Sequence, residues 1–325
     1  MNDTNSDPAP ANRSWNQYWH GTKDGPSLAI GGANHPRLDQ FWQEFFLSLR
    51  TESRPTRIVD IASGDGAVVD FVFKVFSGET ADVTCIDISE HAIEILVKRF
   101  PGVNGLVANA LRIPLESNSF DIVASQFGVE YAGVAAFSEA ARLVAPGGQL
   151  ALLVHHRSGA IYKECTASLD AVEKLKVCKF IPLSIGMFEA GFAACRGAEP
   201  GPYNTAAENL LPAYRELERI MQHYGMHVAG DTLLRLYQDV DKIHQSMEHY
   251  DPAEILQWLA RLDSELDAYA GMMGSMRDAA LSEAQFLAVC DALKSAGLRL
   301  QQTLPLLCDD QELPVAWALI ANRPP

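Results

Sequence analysis

The stretch that decides the fold is "IVDIASGDGAVV", residues 58–69. Ile58 to Ile61 is a β-branched, apolar run with a carboxylate, Asp60, near its end. Gly64 and Gly66 follow, two apart, and lead into a second apolar run. The order reads as strand, tight turn and helix start, the usual ground for a nucleotide. A G-x-G-x-x-G fingerprint starting at Gly64 would need glycine where Val69 stands, so the dinucleotide pattern is incomplete. No G-K-[ST] follows, which excludes a P-loop. Asp60 just before the turn would repel a pyrophosphate; it suits a ligand that brings positive charge or hydrogen-bond donors.

Outward from this stretch the pattern alternates. Arg57–Ile61, Asp82–Ile86, Gly105–Ala108, Phe120–Ser125 and Gln149–His155 read as strands. Ala67–Phe76, Glu90–Phe100 and Val134–Leu143 read as helices between them. Such alternation implies parallel βαβ units and a doubly wound α/β sheet. Upstream, "HPRLDQFWQEFFLSLR" places Leu38, Phe41, Trp42, Phe45, Phe46 and Leu49 on one helical face. From about 157 to 280 the reading is almost wholly helical, with stripes such as Leu210, Tyr214, Leu217, Met221 and Tyr224. "CRGAEPGPYNT" reads as a loop before that stripe, and Asp251-Pro252 with Glu254 as the start of a later helix. The α/β pattern then returns: Ser282 caps a helix that Gly297 stops. "LRLQQTLPLL" and "VAWALIANR" follow with too short a linker for a helical crossover, so they pair antiparallel. The expected fold is a mostly parallel seven-stranded α/β sheet with a helical insertion after the fifth strand. Its expected divisions are a disordered tail (1–13), an N-terminal helical lid (14–50), the cofactor-binding core (51–156), a helical cap (157–281) and a completing helix and strand pair (282–325).

Composition narrows the ligands. Lys and Arg number 26 against 41 Asp and Glu, a net charge of −15, which opposes polyphosphate. Nucleic acid and membrane are therefore not the expected partners; a small molecule is. The six cysteines are scattered with no C-x-x-C pair, as suits buried thiols in a reducing cytoplasm. The N-terminal stretch is polar and acidic, unlike a signal peptide. A cytoplasmic location is the expectation.

A second carboxylate, Asp87 in "TCIDIS", ends the next strand, where it would accept from both hydroxyls of a ribose. Asn109-Ala110 follows the third strand, "SFDIV" forms the fourth, and "ARLVAPGGQLALL" is a helix, a Pro-Gly-Gly turn and a strand. Taken in order, "VDIASGDG", "CIDIS", "NA" and "APGGQL" resemble the class I S-adenosylmethionine-dependent methyltransferases, a Rossmann-like fold, and among them the small-molecule and quinone-biosynthesis branch. The resemblance covers roughly 57–155 and 282–323. It implies S-adenosylmethionine as cofactor, with Asp60 organising the loop toward the methionyl ammonium. Gly64 and Gly66 would let the backbone approach the methionine and ribose, Asp87 would accept from the ribose, and Ile88 would pack on adenine. Asn109 and Ala110 would meet the adenine edge, and Gln126 and Phe127 the methionine end. Two positions depart from the family pattern: Ala62 stands for its first glycine and Asn109 for an aspartate.

For methyl transfer the protein must align the acceptor, exclude water and manage a proton. His155 and His156 end the fifth strand at the carboxyl edge, where open α/β sheets place ligands. Either is a candidate general base; strand alternation turns them in opposite directions, so one at most faces a ligand. Adjacent diverging histidines with no third ligand give no metal site. Tyr131, and Tyr18 with Trp15 and Trp19, are aromatic candidates near a sulfonium. Met187, Phe188, Phe192, Tyr203, Met272, Met273 and Met276 of the insertion suit an apolar acceptor, and equally its own core or a homodimer face. The expected activity is methylation of a small, largely apolar metabolite, with aromatic ones among the candidates, at oxygen more than carbon. The alternatives are a protein or RNA methyltransferase, and an inactive cofactor-binding partner subunit.

Overall fold

The structure is a computed structural model that describes residues 35–49, 56–76, 81–307 and 313–325. The strands in chain order are β1 (Thr56–Ile61), β2 (Ala81–Asp87), β3 (Asn104–Val107), β4 (Phe120–Gln126), β5 (Val144–His155), β6 (Arg299–Leu307) and β7 (Pro314–Asn322). They form one seven-stranded sheet in the order β3-β2-β1-β4-β5-β7-β6. β1 to β5 are parallel, and β7 runs antiparallel between β5 and β6. The strand order reverses between β1 and β4, the position where such sheets open a crevice beyond their carboxyl ends.

Contacts divide the chain into two units, the first holding the sheet and its flanking helices. The second comprises, among the described residues, 164–274. In the first unit the helices are α1 (Pro36–Ser48), α2 (Ala67–Val75), α3 (Glu90–Arg99), α4 (Val134–Leu143) and α10 (Glu283–Ser295), with α5 (Ala160–Val177) starting there. One face of the sheet packs on α4 and α10, burying Val59, Ile61, Ile86, Val123, Leu152 and Val154. The other packs on α1 and α2, burying Ile58, Val83, Cys85, Ile122, Ala124, Ala151 and Leu153. The apolar stripe of α1 is part of this second core: Leu38, Phe41, Trp42, Phe45 and Phe46 are all buried. Fully burying a large apolar side chain contributes about 1.5–3 kcal/mol, so this helix is anchored by five such groups. Its described part belongs to the wall of the sheet.

Local signals fall where the chemistry requires. Ser282 and Gln285 form a reciprocal capping box at the start of α10, and Gly297 follows its end at φ +85°. The Pro146-Gly147-Gly148 segment, expected as a turn, lies inside β5 as a bulge: Phe120 pairs with Val144 while Ile122 already pairs with Gln149. Glycine is required at 148, where a Cβ would lie 2.9–3.0 Å from the carbonyls of Phe120, Asp121 and Ala145.

The second unit contains most of α5, then α6 (Phe180–Cys195), α7 (Gly201–Tyr224), α8 (Thr232–Gln245) and most of α9 (Pro252–Ala279). Helix α7 begins within the stretch expected as a loop, because Pro202 occupies a first-turn position where no N–H is needed. The side chains of Met187, Phe188, Phe192, Met272 and Met273 are at most 3% exposed, and Met276 is buried near the end of α9. The five described cysteines Cys85, Cys165, Cys178, Cys195 and Cys290 are free thiols, Cys85, Cys165 and Cys290 being buried. Taken singly, no helix among the described residues is long and apolar enough to cross a membrane.

Candidate functional site

Side chains alternate between the faces of a sheet with period two. Ile58, Cys85, Ala124 and Leu153 lie in the core beneath α1 and α2. Two residues further along each strand stand Asp60, Asp87, Gln126 and His155, which therefore project from that same face. They come from four adjacent strands, β1, β2, β4 and β5, with neighbours about 4.8 Å apart. Register staggers them. Asp60 is level with Cys85 and Ala124, so Asp87 and Gln126 stand two residues beyond it on either side. Leu153 is level with Gln126, which places His155 two residues further again. Asp60 is thus the floor of a notch whose walls are Asp87 and Gln126.

The glycine loop closes over this notch. After β1 the chain turns through Ala62 at φ +55°, Gly64 at +51° and Gly66 at +91°. The loop is pinned by Ser63 N–H donating to Ile86 O (2.9 Å) and Gly66 N–H to Ser63 O (2.9 Å). A side chain at Gly66 would also meet the Phe100 ring at 2.6 Å. Ala62 takes a left-handed conformation that costs a residue with a Cβ about 1–2 kcal/mol. Its methyl group packs against Gly128, where an added Cβ would lie only 2.4 Å away.

Asp87 serves the loop as well as any ligand. Its Oδ2 accepts from Gly64 N–H and its Oδ1 from Ser89 N–H, both at 2.9 Å. The cap of α3 is Ser89 rather than Asp87. Burial raises the Asp87 carboxyl above its usual range, opposed by the backbone N–H groups of Ser89, Gly64 and Ile88. Asp60 is only 2% exposed, and neither of its carboxylate oxygens has a hydrogen-bond partner among the described residues. Burial, with the nearby Asp87 charge adding to it, holds the Asp60 carboxyl well above the usual range. A buried acid without donors is the strongest chemical signal in the site, since native proteins pair such groups.

The other wall is fixed from outside the notch. Trp42 Nε1–H donates to Gln126 Oε1 at 2.5 Å. Indole can only donate, so the amide oxygen points to Trp42 and the NH₂ group is free to donate elsewhere. Phe127, at φ +51°, lays its ring 4.3 Å from that of His155, and Tyr131 meets the same imidazole edge-on at 5.7 Å. His155 Nδ1 lies 2.7 Å from Glu130 Oε1, a carboxylate on the short 3₁₀ turn Val129–Ala132. Glu130 is absent from the sequence expectation. The signal that marks it is an acid set among apolar residues, "FGVEYAG", at the carboxyl end of a strand.

His156 does not join this group. It turns to the opposite face, stacks on Trp317 at 4.1 Å, and burial lowers its pKa. Trp317 stacks in turn on Phe286. The catalytic expectation therefore passes to His155 alone of the pair. Asn109 is exposed, and its Oδ1 accepts from Leu111 N–H at 2.9 Å, closing a local turn and leaving one lone pair for a ligand. Ile88 and Ala110 are half-buried at the ends of β2 and β3. Tyr18, Trp15 and Trp19 lie outside the described residues.

A family of methyltransferase domains matches residues 59–152, the span from the middle of β1 to the middle of β5. Over 196 residues the chain is 30% identical to the ubiquinone/menaquinone biosynthesis C-methyltransferase UbiE of Azotobacter vinelandii, covering 58% of this chain and 72% of that one. It is 28% identical over 193 residues to an uncharacterized methyltransferase of Schizosaccharomyces pombe, covering 58% and 66%. It is likewise 28% identical over 127 residues to the mitochondrial 2-methoxy-6-polyprenyl-1,4-benzoquinol methylase of Caenorhabditis elegans, covering 36% and 44%. The last two matches span less than two thirds of those relatives' lengths. The chain belongs to the class I S-adenosylmethionine-dependent methyltransferases.

The residues present fit that family's cofactor. Asp60 offers two orphaned buried oxygens to an ammonium, and Asp87 retains lone pairs beyond its two backbone bonds. The left-handed glycine loop brings backbone rather than side chain to the notch.

Proposed function

We propose that the protein transfers the methyl group of S-adenosylmethionine to a small, largely apolar acceptor bearing a hydroxylated aromatic ring. The observation that carries the cofactor half is Asp60. A buried carboxylate with no partner among the described residues, at the floor of a notch walled by Asp87 and an amide, matches a ligand with a cationic amino-acid end. S-adenosylmethionine supplies an electrophilic methyl group whose sulfur leaves as a neutral thioether. The chain's own tasks are to bind the ammonium at Asp60, hold the ribose at Asp87 and receive a proton from the acceptor. The net charge of −15 disfavours RNA as acceptor. Support for a hydroxylated ring comes from relatives named for quinone biosynthesis and for a benzoquinol. Oxygen is the first reading of the methylated atom. Carbon is the second, favoured by the C-methyltransferase name of the Azotobacter relative.

Calorimetry and product analysis test this. The full chain is expected to bind S-adenosylhomocysteine and not NAD, and to move labelled methyl from S-adenosylmethionine to phenol or benzoquinol acceptors. Mass spectrometry then assigns the methyl to oxygen or carbon. Binding of NAD with no affinity for S-adenosylhomocysteine overturns the reading. Binding without transfer to any of these acceptors, or to protein or RNA, favours an inactive partner subunit.

A further inference from the structure

Like the oxygens of Asp60, Nε2 of His155 and Oε2 of Glu130 are buried without a hydrogen-bond partner among the described residues. The side chains of His155 and Glu130 are 2% and 0% exposed. Glu130 Oε1 is engaged twice by one residue, accepting the His155 backbone N–H at 3.0 Å and meeting Nδ1 at 2.7 Å. A backbone N–H only donates, so Oε1 acts as acceptor, and the ring proton belongs on Nδ1. The lone pair then sits on Nε2. Phe127 and Tyr131 fix the plane of the ring. Of the groups packed on the imidazole, Glu130 and Tyr131 are titratable. Leu281, whose N–H donates to the His155 carbonyl, and Ala316, its partner in β7, are not.

We propose that His155 is the proton acceptor of this site and that Glu130 is the residue that positions it. Glu130 holds the imidazole as its Nδ1–H tautomer, with the Nε2 lone pair on the face shared with Asp60 and Gln126. The inference rests on the methyltransferase reading and narrows its acceptor to one with an ionisable hydroxyl, a phenol or an enol. The acceptor O–H bond breaks with its electron pair left on oxygen, and the proton forms an N–H bond at Nε2. The carboxylate beside Nδ1 offsets the charge of the resulting imidazolium. Removing that proton raises the nucleophilicity of the hydroxyl oxygen and, by conjugation, of the adjacent ring carbon. Methylation at carbon also breaks that carbon's C–H bond, its proton passing to the ring oxygen as the aromatic ring is restored, so either site of methylation is served by the same base. After product leaves, the proton passes to water.

The test uses the full chain with ¹⁵N-labelled imidazoles, the His155 resonances being assigned by their loss in His155→Gln. The wild-type protein is expected to show the Nδ1–H tautomer in the neutral ring. Found instead with its proton on Nε2, the ring cannot accept one there and the proposal is overturned, whether or not any acceptor turns over. In turnover with phenols of graded acidity, His155→Gln should lose roughly 10²–10⁴-fold in kcat on the least acidic phenol. The loss should shrink on a nitrophenol that ionises unaided. Glu130→Gln keeps an acceptor oxygen but not the charge, so the acidic limb of its rate–pH profile should move, and Glu130→Asp should move it back. A profile unchanged in Glu130→Gln, or an equal loss on all phenols in His155→Gln, also overturns the proposal. Calorimetry with S-adenosylhomocysteine separates the two levels. Affinity within about threefold of wild type is expected in both variants, and failure of the wild type to bind defeats the methyltransferase reading itself.

Discussion

Replacing Asp60 by Asn should move stability and cofactor binding in opposite directions. The wild-type side chain is a buried carboxyl without donors, raised well above its usual range first by burial and then by Asp87. The folded state therefore holds this proton more tightly than the unfolded chain. Its stabilising contribution is complete below the unfolded value of about 3.9 and is lost as pH rises through the folded value. Within that window one group contributes at most about 1.4 kcal/mol per pH unit. An amide of the same shape never ionises, so D60N should lack this slope while the slope from Asp87 persists in both proteins. Urea denaturation of the ligand-free proteins at a series of pH values from 4.5 to neutrality (a range set by about 3.9 at its lower end) measures the difference directly. The variant should gain on the wild type steadily as pH rises. Binding should respond the other way. An ammonium loses a charge-assisted hydrogen bond of about 1.5–3 kcal/mol, so affinity for S-adenosylhomocysteine should fall about 10- to 150-fold. A D60N protein with wild-type affinity and the wild-type pH slope would refute the reasoning, and the orphaned oxygens would have no ligand to answer to.

Other consequences follow from the same geometry. Gly128→Ala places a methyl group 2.4 Å from the Ala62 Cβ, which should destabilise by about 1–3 kcal/mol in denaturant titration. Ala62→Gly relieves both this contact and the left-handed strain, so the double variant should recover part of the loss, a coupling of about 0.5–3 kcal/mol. Additive effects would show that the two loops do not touch. Asp87→Ala removes the acceptor of the Gly64 and Ser89 N–H groups together with two expected ribose contacts. Calorimetry should show at least about tenfold weaker cofactor binding, and amide exchange at Gly64 should quicken. Arg142 bonds Glu139 and the carbonyls of Ile113 and Leu115, and its bond lowers the Glu139 pKa. That pair stabilises at pH above the unfolded glutamate value and is lost as pH falls through the depressed one. Arg142→Met should therefore be less stable than wild type at neutral pH and approach it in acid.

What the sequence determined by itself is what local pattern encodes. Short apolar runs such as Ile58–Ile61 and Phe120–Ser125 specify strands, and the apolar stripe of Leu38, Phe41, Trp42, Phe45 and Phe46 specifies a helix with one buried face. Ser282 marks a helix start because its cap bond is made within four residues. Carboxylates at the ends of β1 and β2 were legible because the glycine turn and strand topology constrain what can lie there. The divergence of His155 and His156 was legible too, since adjacent strand residues point to opposite faces. Which of them meets the ligand side was not. That choice depends on what covers each face: Trp317 and Phe286 beside His156, Phe127 and Glu130 beside His155. Tertiary structure also decided that α1 is wall rather than cover, because a stripe records that a face is buried and not against what. It aimed the Gln126 amide through Trp42, 84 residues away. Above all it brought Glu130 back to His155 across 25 residues, by a 3₁₀ turn between two strands that are neighbours only in the folded sheet. Hydrogen bonds of that reach leave no periodicity in the chain, and burial of the acid is what gives the pair its chemistry.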